Sequence, residues 1–130
     1  MNDESLAPLH ADGLTVTPRL GDNTLRVTVI GTVEMRDPGD VLTPYWTGID
    51  DEARRRGIRR VELDVKDLNY MNSSGILTLV RWITRAKGHE ASDAYQLVVY
   101  YDGNVTWQRT SIPTLAKLAP QVVVPTEING

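Results

Sequence analysis

The first part of the chain shows the period-two alternation of apolar and polar residues that is typical of half-buried strands. Leucine or valine alternates with polar residues over 14–20 and again over 24–31, and the turn cluster Gly-Asp-Asn at 21–23 separates the two runs. Pro18 lies in the first run, and a residue without a backbone N–H is tolerated in an edge strand. We therefore predict an antiparallel hairpin at the edge of a sheet.

The next segment has apolar residues at helical spacing and predicts the first helix. Thr43 and Pro44 fit an N-cap followed by a first helical residue, although Asp40 could cap the helix one turn earlier. The helix is predicted to end near Arg56. The carboxylates at 50–52 fall on the side opposite the apolar residues, so we expect them to face water.

The clearest helical pattern follows Asn72 and predicts a helix that ends at residues 87–88. One face carries an apolar stripe of Ile76, Leu79, Val80, Ile83 and Ala86. The opposite face carries Ser74, Thr78, Arg81 and Arg85. We expect the stripe to pack on a sheet and the polar face to meet solvent, with Trp82 partly exposed at the edge of the stripe.

Strand patterns alternate with these helices. They predict strands over 59–65, 94–101 and 121–124, and a third helix near 105–118 that is interrupted at Pro113. The continuous apolar centre of the second of these strands predicts burial on both faces. The order β-β-α-β-α-β-α-β predicts an α/β fold, in which helices pack on a mixed sheet with a parallel core and an antiparallel edge hairpin.

Length and composition limit the classes of function that fit this chain. The 130 residues are predicted to form a single domain with a core at about 14–124 and flexible ends at 1–12 and 125–130. The net charge of −3 and the short basic runs do not favour direct nucleic-acid binding. No segment resembles a signal peptide or a membrane span, so we expect a cytoplasmic protein without membrane contact.

Candidate chemistry is sparse along the chain. There is no cysteine, the two histidines lie far apart, and no glycine-rich phosphate motif occurs, so we expect no cofactor and no catalytic residue. Asp64, Asp67 and Asp102 lie at or just after the ends of predicted strands and could hold a metal ion or border a small-ligand or nucleotide site. Such aspartates are also common in turns and caps, and we favour that interpretation over a metal site.

One short polar cluster, Asn72-Ser73-Ser74-Gly75, joins a strand-like run to the clearest helix. Asparagine and serine at this point are good caps for the first backbone N–H groups of a helix. The same geometry exposes a serine hydroxyl at the carboxyl edge of a parallel sheet, where functional sites usually lie. A phosphate there would carry nearly two negative charges, which the helix dipole tolerates and a docked partner would sense.

The segment VELDVKDLNYMNSSGILTLV, residues 61–80, resembles the STAS family of anti-sigma-factor antagonists in bacterial partner-switching systems. That family has a strand, then D-S-S-G, then an apolar helix, and the resemblance covers about residues 14–124. It implies a non-enzymatic regulator that is phosphorylated on Ser73. The implied partners are a serine kinase of the ATPase fold, which doubles as an anti-sigma factor, and a protein serine phosphatase that resets the cycle.

The chain departs from the family motif at Asn72, where the family has aspartate. This departure predicts that Asn72→Asp would be phosphorylated faster. Asparagine before a hydroxyl residue is also similar to a divergent STAS-like group whose phosphorylatable members control a diguanylate cyclase. A third interpretation is an interaction module in which Asn72, Ser74 and Gly75 only shape the helix start and Ser73 is never phosphorylated.

The resemblance also predicts where a partner binds. In the family, the loop after the second strand lies beside the phosphorylation site, and here that loop contains Met35, Arg36 and Asp37. With Ser73, the exposed side of the helix adds Leu77 and Arg81. We predict one continuous partner surface formed by these residues, with Leu77 at its centre, unless Leu77 packs under the neighbouring helix.

Overall fold

The computed structural model describes residues 6–129, which contain ten helices and strands. In chain order these are β1 (Leu9–Ala11), β2 (Leu14–Gly21), β3 (Thr24–Val33), α1 (Gly39–Arg55), β4 (Arg60–Asp64), β5 (Leu68–Met71), α2 (Ser73–Lys87), β6 (Gln96–Asp102), α3 (Thr106–Ala116) and β7 (Val123–Ile128). No helix within this described part is long and apolar enough to cross a membrane.

The strands form one mixed sheet in the order β1-β2-β3-β4-β6-β7, and β5 continues the sheet beside the end of β3. Pairing is antiparallel between β1, β2 and β3 and parallel between β3, β4, β6 and β7, as well as between β3 and β5. The predicted α/β class, with a parallel core and an antiparallel edge hairpin, is confirmed.

The core lies between the sheet and the three helices, because alternate strand residues point towards them. Val27, Leu63 and Leu97 are at most 2% exposed, and Trp46 and Leu79 cover them from the helical side. The centre of β6 is buried on both faces, as its continuous apolar run predicted.

Two strands are missing from the predicted order. Strand β1 has only three residues, and β5 has four with its middle residues exposed, so neither shows enough alternation to be recognised. Strand β7 also continues to Ile128 along β6, with Pro125 tolerated because β7 is an edge strand. Residues 9–11 and 125–128, which were predicted to belong to flexible ends, thus lie in strands of the sheet, whereas residues 1–5 and 130 lie outside the described part.

Proline misled the prediction of two helices. Helix α1 begins at Gly39 after Pro38, so Pro44 lies inside it, and α3 runs without a break through Pro113. Buried anchors on both sides of each proline, such as Leu42 in α1 and Ile112 in α3, outweigh the lost hydrogen bond.

Candidate functional site

The serine cluster lies at the carboxyl edge of the sheet, where β5 leads directly into α2. Met71 pairs with Val33 at the end of β3, and the backbone N–H of Asn72 donates to the carbonyl of Val33 at 3.0 Å. The last residues of β3 and β5 are thereby side by side. Both the start of α2 and the loop that follows β3 leave the sheet at this point.

Asn72 uses both ends of its side-chain amide. Its Oδ1 accepts the backbone N–H of Gly75 at 2.8 Å, which makes it the N-cap of α2. Its Nδ2 donates to the carbonyl of Met35 at 3.0 Å, across the gap to the β3–α1 loop. An aspartate here could accept the first bond but could not donate the second, so the amide suits this structure better than a carboxylate.

Gly75 is required by packing at the first turn of α2. A Cβ at this position would lie 2.8 Å from Cγ of Met71 and 2.9 Å from Cγ1 of Val33, closer than atoms pack. The glycine therefore lets α2 start directly against the ends of β3 and β5, and this close approach holds the serines at the edge of the sheet.

Ser73 and Ser74 are both exposed at the beginning of α2. Within the described residues neither hydroxyl makes a hydrogen bond, and the cap of α2 is made by Asn72 instead. The backbone N–H groups of both serines belong to the first turn, where no intrahelical acceptor exists. Together with the helix dipole they make this end of α2 favourable for negative charge.

The residues predicted to bind a partner differ in how far they are exposed. Met35 is half-buried against the core and is joined to Asn72, whereas Arg36 and Asp37 of the same loop are exposed. Leu77 is 44% exposed, and Arg81 one turn further along α2 is exposed as well. Because Ser73, Leu77 and Arg81 are spaced by four residues, they share one face of α2.

A buried polar cluster joins α1 to the other end of α2. Asp50 is fully buried and accepts hydrogen bonds from Nε of Arg85 at 2.8 Å, Nε2 of His89 at 2.7 Å and the hydroxyl of Tyr95 at 2.5 Å. Burial would raise the pKa of Asp50, but these three hydrogen bonds outweigh it and hold that pKa below its ordinary value. Burial, with the bond to Asp50, raises the pKa of Tyr95.

This cluster corrects the prediction that the carboxylates at 50–52 face water. Only Asp51 does so; Asp50 is buried, and Glu52 is 7% exposed and bonded to Arg55 and Arg56. Periodicity failed for Asp50 because the side chains that satisfy its buried carboxylate come from distant parts of the chain. The sequence gives no local signal of the pair Asp50–Arg85, because the two residues are 35 positions apart.

The face of α2 that was predicted to be exposed is also partly buried. Thr78 is 1% exposed; its hydroxyl donates to the carbonyl of Gly75 at 2.6 Å and accepts Nε1 of Trp46 at 3.0 Å. Trp82 is 3% exposed and not partly exposed as predicted. Its indole stacks on Trp46, and its Nε1 donates to the hydroxyl of Tyr95 at 2.8 Å. Helix α2 therefore buries two faces, one against the sheet and one against α1.

The aspartates considered as metal ligands are used within the protein. Asp64 is 2% exposed, and its Oδ2 accepts Nη2 of Arg26 at 2.9 Å and Nζ of Lys66 at 2.6 Å. Asp102 accepts the backbone N–H of Asn104 at 2.8 Å in a turn. Residues 6–129 contain no group of three or more His, Cys, Asp or Glu side chains that could hold a metal ion.

Comparison with known proteins extends the structural result. No protein-family model matches the chain, and no curated protein matches it. Several solved structures do match the chain. An anti-sigma factor antagonist from Mycobacterium paratuberculosis matches with a TM-score of 0.60 at 18% identity, over 91% of this chain and 92% of that one.

Two further structures match at similar length. A chain from the complex of diguanylate cyclase SiaD with its activator SiaC, from Pseudomonas aeruginosa, gives a TM-score of 0.66 at 15% identity, covering 94% of this chain and 99% of that chain. An uncharacterised Shewanella loihica protein with a SpoIIAA-like fold gives 0.52 at 12% identity, covering 94% and 92%. These likenesses agree with the resemblance of the NSSG junction, and the chain has a STAS-like fold.

Proposed function

We propose that the protein is a STAS-like regulator in a bacterial partner-switching pathway, switched by phosphorylation of Ser73. The observation that carries the proposal is that the hydroxyl of Ser73, at the first position of α2, is exposed and makes no hydrogen bond within residues 6–129. Its partner is a serine kinase of the ATPase fold that also acts as an anti-sigma factor. The kinase transfers the γ-phosphoryl group of ATP to Oγ of Ser73 and releases ADP and a proton, and a serine phosphatase returns the hydroxyl by hydrolysis.

The local structure supports a switch that leaves the fold intact. Phosphate on Ser73 adds nearly two negative charges beside the free backbone N–H groups of the first turn, which favour an anion. Since Asn72 provides the cap, no hydrogen bond within the described residues has to break. The added charge would act mainly on whatever docks against Arg36, Asp37 and Leu77.

Phosphate labelling by the kinase tests which serine is the acceptor. Ser73→Ala should lose labelling and Ser74→Ala should keep it. The two variants are matched because both hydroxyls are exposed and neither has a hydrogen-bond partner in the described part of the chain. Equal labelling of Ser73→Ala and the unchanged protein would remove the proposed switch. Retained kinase binding without labelling of any residue would instead favour the interaction module in which the cluster only starts α2.

Partner affinity tests the proposed surface. Leu77→Ala and Arg81→Glu should weaken kinase binding without lowering the unfolding temperature, because both side chains are exposed. Leu118→Ala, a leucine outside α2 that is 43% exposed, is the matched control. A drop in unfolding temperature for Leu77→Ala, with normal binding by Arg81→Glu, would mean that Leu77 serves packing and that no such surface exists.

A second candidate output is control of a diguanylate cyclase. It is favoured by the TM-score of 0.66 with a chain of a cyclase–activator complex and by Asn72 in the motif. In this case the protein would alter cyclase activity in a manner that depends on Ser73. Cyclase assays with the unchanged protein, Ser73→Ala and Ser74→Ala distinguish this output from release of a sigma factor.

A further inference from the structure

Strand β5, which leads to Ser73, has a strand beside it on one side only. Among the described strands it pairs with β3 alone. Gly31 of β3 pairs with β2 on one side and with Leu68 of β5 on the other, so β5 takes the place that β4 leaves after Asp64. Strand β6 continues beyond the end of β4 to Asp102. No described strand therefore joins the end of β6 to the start of β5.

The side chain of Gln108, from the first turn of α3, makes this connection. Gln108 is fully buried. Its Oε1 accepts the backbone N–H of Asp102 at 2.6 Å. Its Nε2 donates to the carbonyls of Val65 at 2.5 Å and Leu68 at 2.9 Å. One side-chain amide thus bonds to β6 on one side and to the start of β5 on the other, as a peptide unit of an intervening strand would.

Trp107, the neighbour of Gln108 in α3, strengthens the hold on β5. Its indole Nε1 donates to the carbonyl of Leu68 at 2.7 Å, so this carbonyl accepts hydrogen bonds from both side chains. Leu68 is itself fully buried. Buried bonds of this kind are costly to break, because each freed polar group loses its partner without gaining water. Helix α3 therefore fixes the first residue of β5.

The anchor at Leu68 lies close to the serine cluster along the chain. Only residues 69–72 separate Leu68 from Ser73. At the end of this short segment, the backbone N–H of Asn72 bonds to the carbonyl of Val33 at 3.0 Å. The position of Ser73 is thus set from two directions, by the end of β3 and by α3 through Gln108.

We propose that Gln108 is a positioning residue for the phosphorylation site. It holds β5 so that Ser73 stays at the edge of the sheet in the orientation that a kinase requires. The proposal rests on the proposed role of Ser73 as phospho-acceptor. It adds that α3, which lies outside the proposed partner surface, controls the reactivity of Ser73 through one buried amide.

Amide hydrogen exchange followed by NMR on the full chain measures this coupling without a kinase. The informative amides are those of Asn72, Gly75 and Ile76, because their hydrogen bonds at the start of α2 protect them in the unchanged protein. Gln108→Met keeps the side-chain volume and removes the bonds of the amide. We expect exchange at these three positions to rise about tenfold or more, since each lost buried bond favours local opening by about that factor.

Two further variants separate positioning from a general loss of stability. Trp107→Phe should raise exchange less than Gln108→Met, because the carbonyl of Leu68 keeps its bond to Gln108. Tyr95→Phe is the matched control. It also keeps its volume and loses buried hydrogen bonds, to Asp50 and from Trp82, but these lie at the other end of α2. Exchange at the start of α2 should stay unchanged in this control.

Phosphate labelling by the kinase then tests the consequence for Ser73. In Gln108→Met the maximal rate of labelling should fall about tenfold with little change in KM, because Leu77 and Arg81 of the partner surface are retained. The exchange result needs no kinase, so it stands even if Ser73 proves not to be an acceptor. The proposal is overturned by unchanged exchange in Gln108→Met, by an equal rise in Tyr95→Phe, or by labelling of Gln108→Met at the unchanged rate.

Discussion

The two ends of α2 are built in opposite ways. At its first turn, Ser73 and Ser74 are exposed, and a single side chain, Asn72, both caps the helix and joins it to the neighbouring loop. At its last turn, Arg85 and the following His89 bind the fully buried Asp50 of α1. One end can take up charge without losing bonds, and the other is fixed by a buried ionic cluster.

This difference separates the proposed phosphorylation site from the stabilising cluster within one helix. A site that gains nearly two negative charges must not contribute strongly to folding, or each modification would unfold the domain. The packing of Thr78 against Trp46, midway along α2, connects the two ends. We therefore expect substitutions to cost most stability near Asp50 and least at Ser73.

The largest effect is expected for Asp50→Ala. Removal of the carboxylate leaves Nε of Arg85, Nε2 of His89 and the hydroxyl of Tyr95 without the acceptor that Asp50 provides, at a cost of about 3 kcal/mol in free energy of unfolding. For a domain of this size that corresponds to a fall of about 10 °C in unfolding temperature. Asp51→Ala is the control, because Asp51 binds the same arginine at the surface, and it should change stability by about 0.5 kcal/mol or less.

Acid should lower the stability that the Asp50 carboxylate contributes. The folded-state pKa of Asp50 lies below its ordinary value of 3.8, so the unfolded chain binds this proton first as the pH falls. The stabilisation by the Asp50 carboxylate is therefore present above about pH 4 and is lost below it. Urea unfolding between about pH 3 and pH 7 should show the stability gap between the unchanged protein and Asp50→Asn shrinking on acidification; a constant gap would contradict the assignment.

Intermediate effects are expected at Asn72. Asn72→Ala loses the cap and the bond to Met35 and should cost about 1.5 kcal/mol. Asn72→Asp keeps the cap acceptor, so it should cost less, yet hydrogen–deuterium exchange in the loop at 34–38 should rise because the bond to Met35 is gone. Unchanged exchange in Asn72→Asp would show that the amide does not hold the loop.

The bond to Met35 also changes the view of phosphorylation in Asn72→Asp. The sequence predicts faster transfer because a carboxylate orients magnesium or the serine hydroxyl better than an amide does. In the structure both ends of the amide are occupied by Gly75 and Met35. In Asn72→Asp only the oxygen that caps Gly75 stays occupied, so the second oxygen would be free to act during transfer, and an unchanged or slower rate would show that the junction is adapted to asparagine.

The sequence predicted the fold where periodicity is strong. The hairpin, the parallel core and the main span of α2 were all recognisable, and so was the NSSG junction, because residue order alone places it between strand and helix. Short β1 and β5 were missed, Pro44 was predicted as the first residue of α1, and Pro113 was predicted to interrupt α3. In each case tertiary packing overrode a local preference, which one sequence does not reveal.

The functional site was predictable only in part. The motif identifies Ser73 and its neighbours, and both serines are exposed in the structure. The motif does not reveal the bond from Asn72 to Met35, which joins residues 37 positions apart. It also does not reveal the cluster around Asp50, which joins residues up to 45 positions apart. Long-range polar pairs carry no periodic signal, so side chains such as Asp50 were assigned to the surface.

The smallest stability effect is expected at Ser73 itself. Ser73→Ala removes a hydroxyl that has no partner within residues 6–129, and Ser73→Asp adds charge at the favourable end of the helix dipole. Both should change the free energy of unfolding by about 0.5 kcal/mol or less. A loss above about 2 kcal/mol for either variant would mean that Ser73 supports the fold rather than a switch.

The most direct test of the central claim is phosphosite mapping by mass spectrometry on the protein isolated from its native cell. The account predicts phosphate on Ser73 and none on Ser74, with a phosphorylated form whose unfolding temperature stays close to that of the unmodified protein. Phosphate confined to another residue, or complete absence of phosphate under conditions that activate and inactivate the pathway, would contradict it.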